Sequence, residues 1–200
     1  MQNRNSQSFG MHPYSIMIVL LLAGLSMIFV ALSAAYLFSR FQSGEQPIRI
    51  PTIFVFNTLI LLGSSIALTQ AKKAYLNDNT LFYQSMLTLT VILTFAFMAM
   101  QYIGWLQLLT QNPNISTGNM HMYVYAISLI HLFHILAGLP FLLAFLYVAY
   151  VKMKDPVSVF VYFSDPLKKL KLKLLTTYWH FLDILWIYLV VFFYANYFIK

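Results

Sequence analysis

Five apolar stretches separated by short polar segments make up most of this 200-residue chain. They cover residues 15–38, 52–71, 81–109, 120–151 and 174–199. An α-helix rises about 1.5 Å per residue, so about 20 apolar residues cross the hydrocarbon core of a bilayer. The pattern therefore predicts an all-α integral membrane bundle of five transmembrane helices, forming one transmembrane domain over residues 1–200.

The segments between the stretches carry residues that end helices. They are Ser43, Gly44 and Pro47 after the first stretch, Asn77, Asp78 and Asn79 after the second, and Asn112, Pro113 and Asn114 after the third. The first stretch is much longer than the apolar core of a signal peptide, so we expect it to be retained as a helix.

The composition agrees with a membrane location. The chain is 60% hydrophobic and 8% charged, whereas soluble domains carry roughly 25% charged residues. It contains no cysteine, which excludes disulfides, thiolate metal ligands, iron–sulfur ligation and a cysteine nucleophile. The net charge of +7 does not indicate nucleic-acid binding, because the basic residues lie in short segments between apolar stretches.

Basic residues are distributed unequally between the two ends of the predicted bundle. On the side of the amino terminus lie Arg4, Lys72, Lys73, Lys152, Lys154, Lys168, Lys169, Lys171 and Lys173, and on the other side Arg40, Arg49 and Lys200. Cytoplasmic segments retain Lys and Arg. The imbalance predicts a cytoplasmic amino terminus and an external carboxyl terminus.

The segment 152–173 combines this basic charge with apolar residues. The apolar residues are Val157, Val159, Phe160, Val161, Tyr162 and Phe163. Such a segment can lie on anionic headgroups at the membrane interface, or it can be a docking loop for a neighbouring subunit. The sequence leaves both interpretations open.

Two faces of small residues predict close helix packing. They are Gly63, Ala67, Ala71 and Ala74 in the second stretch, and Gly24, Ala31 and Ala35 in the first. Gln101 and Gln107 in the third stretch are interpreted as hydrogen-bonding partners of neighbouring helices.

The fourth stretch places His131, His134 and Gly138 on one helix face. Two imidazoles there can in principle bind a metal or haem. A bis-histidine haem, however, takes its ligands from positions on opposite sides of the macrocycle, and zinc needs a third ligand. We therefore predict that these histidines contact lipid or another subunit rather than a metal.

The fifth stretch contains Asp183, the only acidic residue within the five stretches. An intramembrane carboxylate is costly and suggests a function. His180 precedes it by three residues on the same helix face, and the sequence predicts one hydrogen-bonded unit. Trp179 and Trp186 flank it. A satisfied interhelical contact near the membrane interface is the preferred interpretation of His180 and Asp183, with proton relay or lipid-headgroup binding as the alternatives. Lipid or subunit contact is predicted for Trp179, His180, Asp183 and Trp186, and no catalytic residue is predicted.

These residues resemble a known family. The string Tyr178-Trp179-His180-Phe181-Leu182-Asp183-Ile184-Leu185-Trp186, together with His131, His134 and Gly138, resembles subunit III of haem-copper respiratory oxidases, the cytochrome c oxidase subunit III family. Residues 57–65 resemble that family's second core helix. Ala34, Ala35, Tyr36 and Arg40 resemble the end of its first.

The resemblance implies five core helices, divided by a lipid-filled cleft into a two-helix and a three-helix group, with the first two helices forming the smaller group. It implies contact with oxidase subunits I and II and with phospholipid. Haem and copper are expected in the partner catalytic subunit, and no cofactor other than bound phospholipid is expected here. The implied location is a bacterial-type plasma membrane, and membership of a larger respiratory supercomplex is left open.

The resemblance also implies a function, that of a non-catalytic subunit that supports assembly, lipid binding and proton uptake in a complex that oxidises cytochrome c, reduces oxygen to water and pumps protons. This sequence departs from the family at two positions. Leu25 and Gly104 stand where family members commonly carry glutamates, which puts any proton-related role of those carboxylates in doubt.

Other functions are kept as alternatives. A quinol oxidase or a relative associated with nitric oxide reductase is compatible with the same subunit. A small membrane transporter is the alternative of another class, although the sequence offers no second intramembrane acid and no obvious interrupted helix.

The charge imbalance leads to a test of topology. Reporter proteins fused after Lys173 and after Lys200 are expected on opposite sides of the membrane, because one predicted helix separates the two positions. Reporter activity on the same side in both fusions would contradict the five-helix topology.

Overall fold

The computed structural model describes residues 12–44, 48–111 and 119–198. Within these ranges it contains six helices: α1 (Pro13–Ser43), α2 (Ile53–Leu76), α3 (Thr80–Gln111), α4 (Asn119–Val151), α5 (Pro156–Ser164) and α6 (Pro166–Phe198). All but α5 are long and apolar enough to cross a membrane. The prediction of an all-α bundle with five spans is confirmed, whereas the assignment of residues 1–200 to a single domain stays a prediction.

The helices extend beyond the apolar stretches that predicted them. The largest difference is at the last span, which begins at Pro166 rather than at residue 174. Hydropathy marks only the part of a helix that lies in hydrocarbon, and long lysine side chains let a helix continue into the headgroup region. The predicted breakers Pro47, Asn112, Pro113 and Asn114 lie outside the described residues, as do Arg4 and Lys200.

The helices pack around α6, which contacts α1, α2, α4 and α5. The most extensive contact joins α2 and α3, as expected for antiparallel helices connected by a short turn. In that turn Asp78 adopts a left-handed conformation with φ of 54°, which Asp tolerates better than most residues. The main contacts of α1 are with α4 and α6, and the division into a two-helix and a three-helix group stays a prediction.

The small-residue face of α2 is buried, as predicted, at Ala67, Ala71 and Ala74. The prediction for α1 is wrong for contacts within this chain, because Gly24 and Ala31 are exposed. The buried residues of α1 are Leu25, Phe29, Ser33, Tyr36 and Arg40. The large side chains among them fill the space towards α4 and α6, so Gly24 and Ala31 lie outside the packing face of α1.

Polar side chains tie the helices together. The Asn57 amide donates to Gln101 Oε1 at 3.0 Å between α2 and α3, which confirms the interhelical hydrogen bond predicted for Gln101. Gln107, in contrast, is exposed. At the far end of the bundle, Arg40 Nη1 donates to the backbone oxygen of Asn196 at 2.9 Å and to its side-chain Oδ1 at 3.2 Å. This buried contact fastens the end of α1 to the end of α6.

The approach of α4 to α6 depends on Gly138. A Cβ atom there would lie 2.8 Å from Tyr178 Cε1 and 3.1 Å from Trp179 Cζ3. Neither ring moves freely, because the Tyr178 hydroxyl donates to the His134 backbone oxygen at 2.8 Å and Trp179 Nε1 donates to Ser64 Oγ at 3.4 Å. The glycine therefore sets the distance between these helices.

We expect Gly138→Ala to lower the free energy of unfolding by about 1–2 kcal/mol, since overpacking outweighs the gain in helix propensity. The measurement is the thermal unfolding midpoint of the protein in detergent. Gly24→Ala is the matched control, because a Cβ there meets nothing within 4 Å. Equal midpoints for the two variants would contradict this account of the α4–α6 contact.

Candidate functional site

His131 occupies an aromatic cage in the interior of the bundle. Its ring centroid lies 5.1 Å from that of Trp186, 6.2 Å from that of Phe97 and 6.4 Å from that of Phe29. The side chain is fully buried, and neither ring nitrogen has a hydrogen-bond partner among the described residues. The cage surrounds the imidazole with ring atoms, which makes it a packing site rather than a ligand site within this chain.

His134 lies one turn further along α4 and is only half-buried. Its Nδ1 donates to the backbone oxygen of Ile130 at 2.6 Å, so the neutral ring carries its proton on Nδ1 and leaves Nε2 as an acceptor. The Phe29 ring centroid lies 5.9 Å away. His134 can therefore accept one hydrogen bond from outside its own helix.

His180 on α6 is held by two hydroxyl groups of α2. Ser65 Oγ lies 2.6 Å from its Nδ1 and Thr69 Oγ1 lies 3.2 Å from its Nε2. The Thr69 hydroxyl already donates to the backbone oxygen of Ser65 at 2.9 Å, so it can only accept from Nε2–H. The neutral ring then has its proton on Nε2, and Ser65 donates to Nδ1. Both ring nitrogens are satisfied in this arrangement.

Asp183 lies near His180 without being hydrogen-bonded to it. The distance from His180 Nδ1 to Asp183 Oδ2 is 3.8 Å, which is too long for a hydrogen bond. Neither carboxylate oxygen has a hydrogen-bond partner in the part of the chain that the structure describes. The predicted hydrogen-bonded unit is therefore wrong, because Ser65 occupies the His180 nitrogen that faces the carboxylate.

The two side chains differ in their exposure. The His180 side chain is 36% exposed and that of Asp183 is 5% exposed. The imidazole thus reaches the surface of the bundle, whereas the carboxylate is buried.

Trp179 and Trp186 are both buried within the chain. The Trp186 ring stacks on Phe54 with centroids 5.6 Å apart and planes 12° apart, and Trp179 is hydrogen-bonded to Ser64. These residues join α6 to α2. Both tryptophans are therefore packing contacts in the interior of the bundle.

The six residues predicted to contact lipid or another subunit thus divide into two sets. His131, Trp179, Asp183 and Trp186 are at most 4% exposed, and the contacts that the structure gives them are within the chain. His134 and His180 keep exposed surface, and lipid or subunit contact stays a prediction for all six residues. Among the described residues, no group of three or more His, Cys, Asp or Glu side chains is placed to hold a metal ion.

Sequence reasoning missed the partners on α2. Ser65 and Thr69 are four residues apart and therefore share a helix face, which was a signal that the second stretch has a polar side.

The two positions that depart from the family, Leu25 and Gly104, both lie in packed surroundings. Leu25 is buried, and a Cβ at Gly104 would lie 2.9 Å from Ile53 Cγ2 and 3.1 Å from Phe54 Cε2. A glutamate does not fit at residue 104 in this packing.

Comparison with known proteins adds independent information. The family model described as "Cytochrome c oxidase subunit III" matches residues 8–197. Cytochrome bo(3) ubiquinol oxidase subunit 3 of Buchnera aphidicola subsp. Schizaphis graminum (strain Sg) is 25% identical over 194 residues, which cover 96% of this chain and 95% of that protein. Cytochrome c oxidase subunit 3 of Rhipicephalus sanguineus is 28% identical over 149 residues, 74% of this chain and 52% of that protein. The chain spans about half the length of this second relative.

Substitution of Ser65 and of Asp183 tests which of these two residues holds His180 in place. Ser65→Ala is expected to lower the free energy of unfolding by about 1–2 kcal/mol, because Nδ1 loses its donor in a low-dielectric setting. Asp183→Asn is expected to cost less, since no hydrogen bond to a described residue is lost.

The thermal unfolding midpoint of each variant is the measurement. Ser26→Ala is the matched control, because the Ser26 hydroxyl bonds only to the Leu22 backbone oxygen of its own helix, at 2.8 Å. A larger loss for Asp183→Asn than for Ser65→Ala would show that the carboxylate, and not Ser65, holds His180.

Proposed function

This chain belongs to the cytochrome c oxidase subunit III family, and from that membership we propose that it serves as a non-catalytic, supporting subunit of a haem-copper terminal oxidase. The observation that carries the proposal is the family match over residues 8–197. The partners proposed for it are the catalytic subunit, which would hold the haems and copper, and a second core subunit. Its proposed contributions are assembly, lipid retention and support of proton uptake.

The arrangement of the histidines supports a non-catalytic role. His131 is enclosed by aromatic rings, and His180 uses both ring nitrogens within the chain. His134 offers one free nitrogen, and a single imidazole does not make a redox-metal site. Electron transfer is therefore proposed to run through the partner subunits.

The outer surface supports a role in covering a neighbour. α1 packs only its Leu25 to Arg40 face into the bundle and exposes large apolar side chains elsewhere, including Met27, Val30 and Phe38. Such a surface is stable only against lipid tails or other apolar helices. A subunit built this way can shield a face of the catalytic subunit and hold lipid against it.

The electron donor of the proposed complex has two candidates. Cytochrome c is the donor that the sequence led us to expect. A quinol is the second candidate, and it is favoured by the match to the Buchnera protein along nearly the full length of both chains. Oxygen uptake by the purified complex with reduced cytochrome c, and separately with a quinol, distinguishes them.

Removal of the subunit tests the supporting role. We expect a complex stripped of this chain, or assembled without it, to keep its haem spectrum and a substantial fraction of its initial oxygen consumption. The rate of oxygen consumption should then decline over repeated turnovers. The reason is that this chain no longer shields a face of the catalytic subunit or holds lipid against it.

The haem spectrum and oxygen uptake are followed in the same sample, and the intact complex handled in the same detergent is the control. An immediate loss of a haem band from an otherwise assembled complex would overturn the proposal, because it would show that this chain holds a redox centre.

A further inference from the structure

The short helix α5 forms one wall of a groove at the end of the bundle. The groove has a volume of about 460 Å³ and lies where the turn between α2 and α3 meets the end of α4. Asp78, Leu81, Lys154, Phe160 and Phe163 are among its lining residues. Its walls are thus mainly apolar and include one acidic and one basic side chain.

The two faces of α5 differ sharply. Val157, Phe160 and Val161 are 75%, 73% and 63% exposed, and their i, i+3, i+4 spacing puts them on one side of the helix. The opposite side buries Tyr162 and Phe163. The exposed side is therefore an apolar stripe on the outside of the protein.

Contacts to the bundle fix this orientation. The Tyr75 hydroxyl donates to the Tyr162 backbone oxygen at 2.8 Å, and the Phe163 ring lies edge-on to Tyr75 with centroids 4.7 Å apart. Because these contacts hold the buried side against α2, α5 cannot turn its apolar stripe inward. The stripe needs an apolar environment outside the chain.

The charge around α5 indicates what lies against it. Residues 152–173 carry six lysines and two aspartates, Asp155 and Asp165, for a net charge of +4. Lys168 Nζ lies 4.1 Å from the centroid of the Tyr162 ring. Burial, and secondarily the charge of Asp165, raises the pKa of Tyr162 to about 12, so this lysine rests on a neutral ring.

Apolar side chains flanked by lysines match the boundary between the headgroups and acyl chains of an anionic membrane. A soluble acidic protein would match the lysines but would leave the apolar stripe in water. An apolar helix would cover the stripe but would bury lysines without counter-charges. An anionic lipid satisfies both requirements.

We propose that the α5 groove binds an anionic phospholipid, with the headgroup phosphate at Lys154 and an acyl chain along Leu81, Phe160 and Phe163. Asp78 also lines the groove, and its carboxylate opposes an anionic headgroup, so the phosphate is placed at Lys154 and not at the turn between α2 and α3. The site is separate from the His180 cluster, and it depends only on the membrane location, not on the oxidase partnership.

The test uses the protein purified with its native partners, incubated with equal amounts of phosphatidylglycerol and phosphatidylcholine that carry the same acyl chains. Native mass spectrometry measures the ratio of the two lipids retained on this chain. We expect phosphatidylglycerol to be preferred, Lys154→Gln to reduce the ratio about five-fold, and Lys154→Arg to keep it. Phe160→Ser should reduce the amount of phosphatidylglycerol retained.

Two substitutions serve as matched controls. Lys73→Gln removes an exposed lysine at the same end of the bundle, and Phe198→Ser removes an exposed phenylalanine at the opposite end, on α6. Both are expected to leave lipid retention near that of the unsubstituted protein.

Several results would overturn the proposal. One is equal retention of the two lipids, and another is a ratio unaffected by Lys154→Gln. Displacement of the lipid by excess glycerol phosphate would identify a soluble phosphate ligand instead. A cross-link from α5 to another subunit that persists when phosphatidylglycerol is removed would identify a protein partner.

Discussion

Hydrocarbon offers no water to a polar group, so a polar side chain inside a membrane span has to find its partner within the protein or remain costly. The bundle follows this constraint at each helix junction described above. Asn57 meets Gln101 between α2 and α3, Arg40 meets Asn196 between α1 and α6, and His180 meets α2. Apolar packing provides the contact area, but these hydrogen bonds determine which helix faces meet, because a rotation of any helix would leave them unpaired.

His131 and Asp183 depart from this constraint. Neither makes a hydrogen bond to a described residue, although both are buried. Such groups are normally kept only where something compensates for them. Asp183 has the half-exposed His180 imidazole 3.8 Å away, whereas His131 is surrounded by aromatic rings.

The two ends of the bundle serve different purposes. At one end the Arg40–Asn196 contact closes α1 against α6 with hydrogen bonds. At the other end aromatic rings hold α5 in place, and its outer side combines apolar residues with lysines. The charge imbalance that predicts orientation and the structure of α5 therefore concern the same surface, the one proposed to rest on anionic lipid.

The sequence alone determined the five spans and the family resemblance, because mean hydropathy and a run of specific residues are local properties of the chain. It could not determine which way each helix faces. Gly24 and Ala31 had the spacing of a packing face, yet α1 packs through Leu25, Phe29 and Tyr36, since the space between α1 and its neighbours has to be filled. It also assigned His180 to Asp183, the acidic residue three positions further along the same helix. Only the tertiary structure brought in Ser65 and Thr69, 115 and 111 residues away along the chain, because the choice among polar partners is decided by the rotation and depth of α2 against α6.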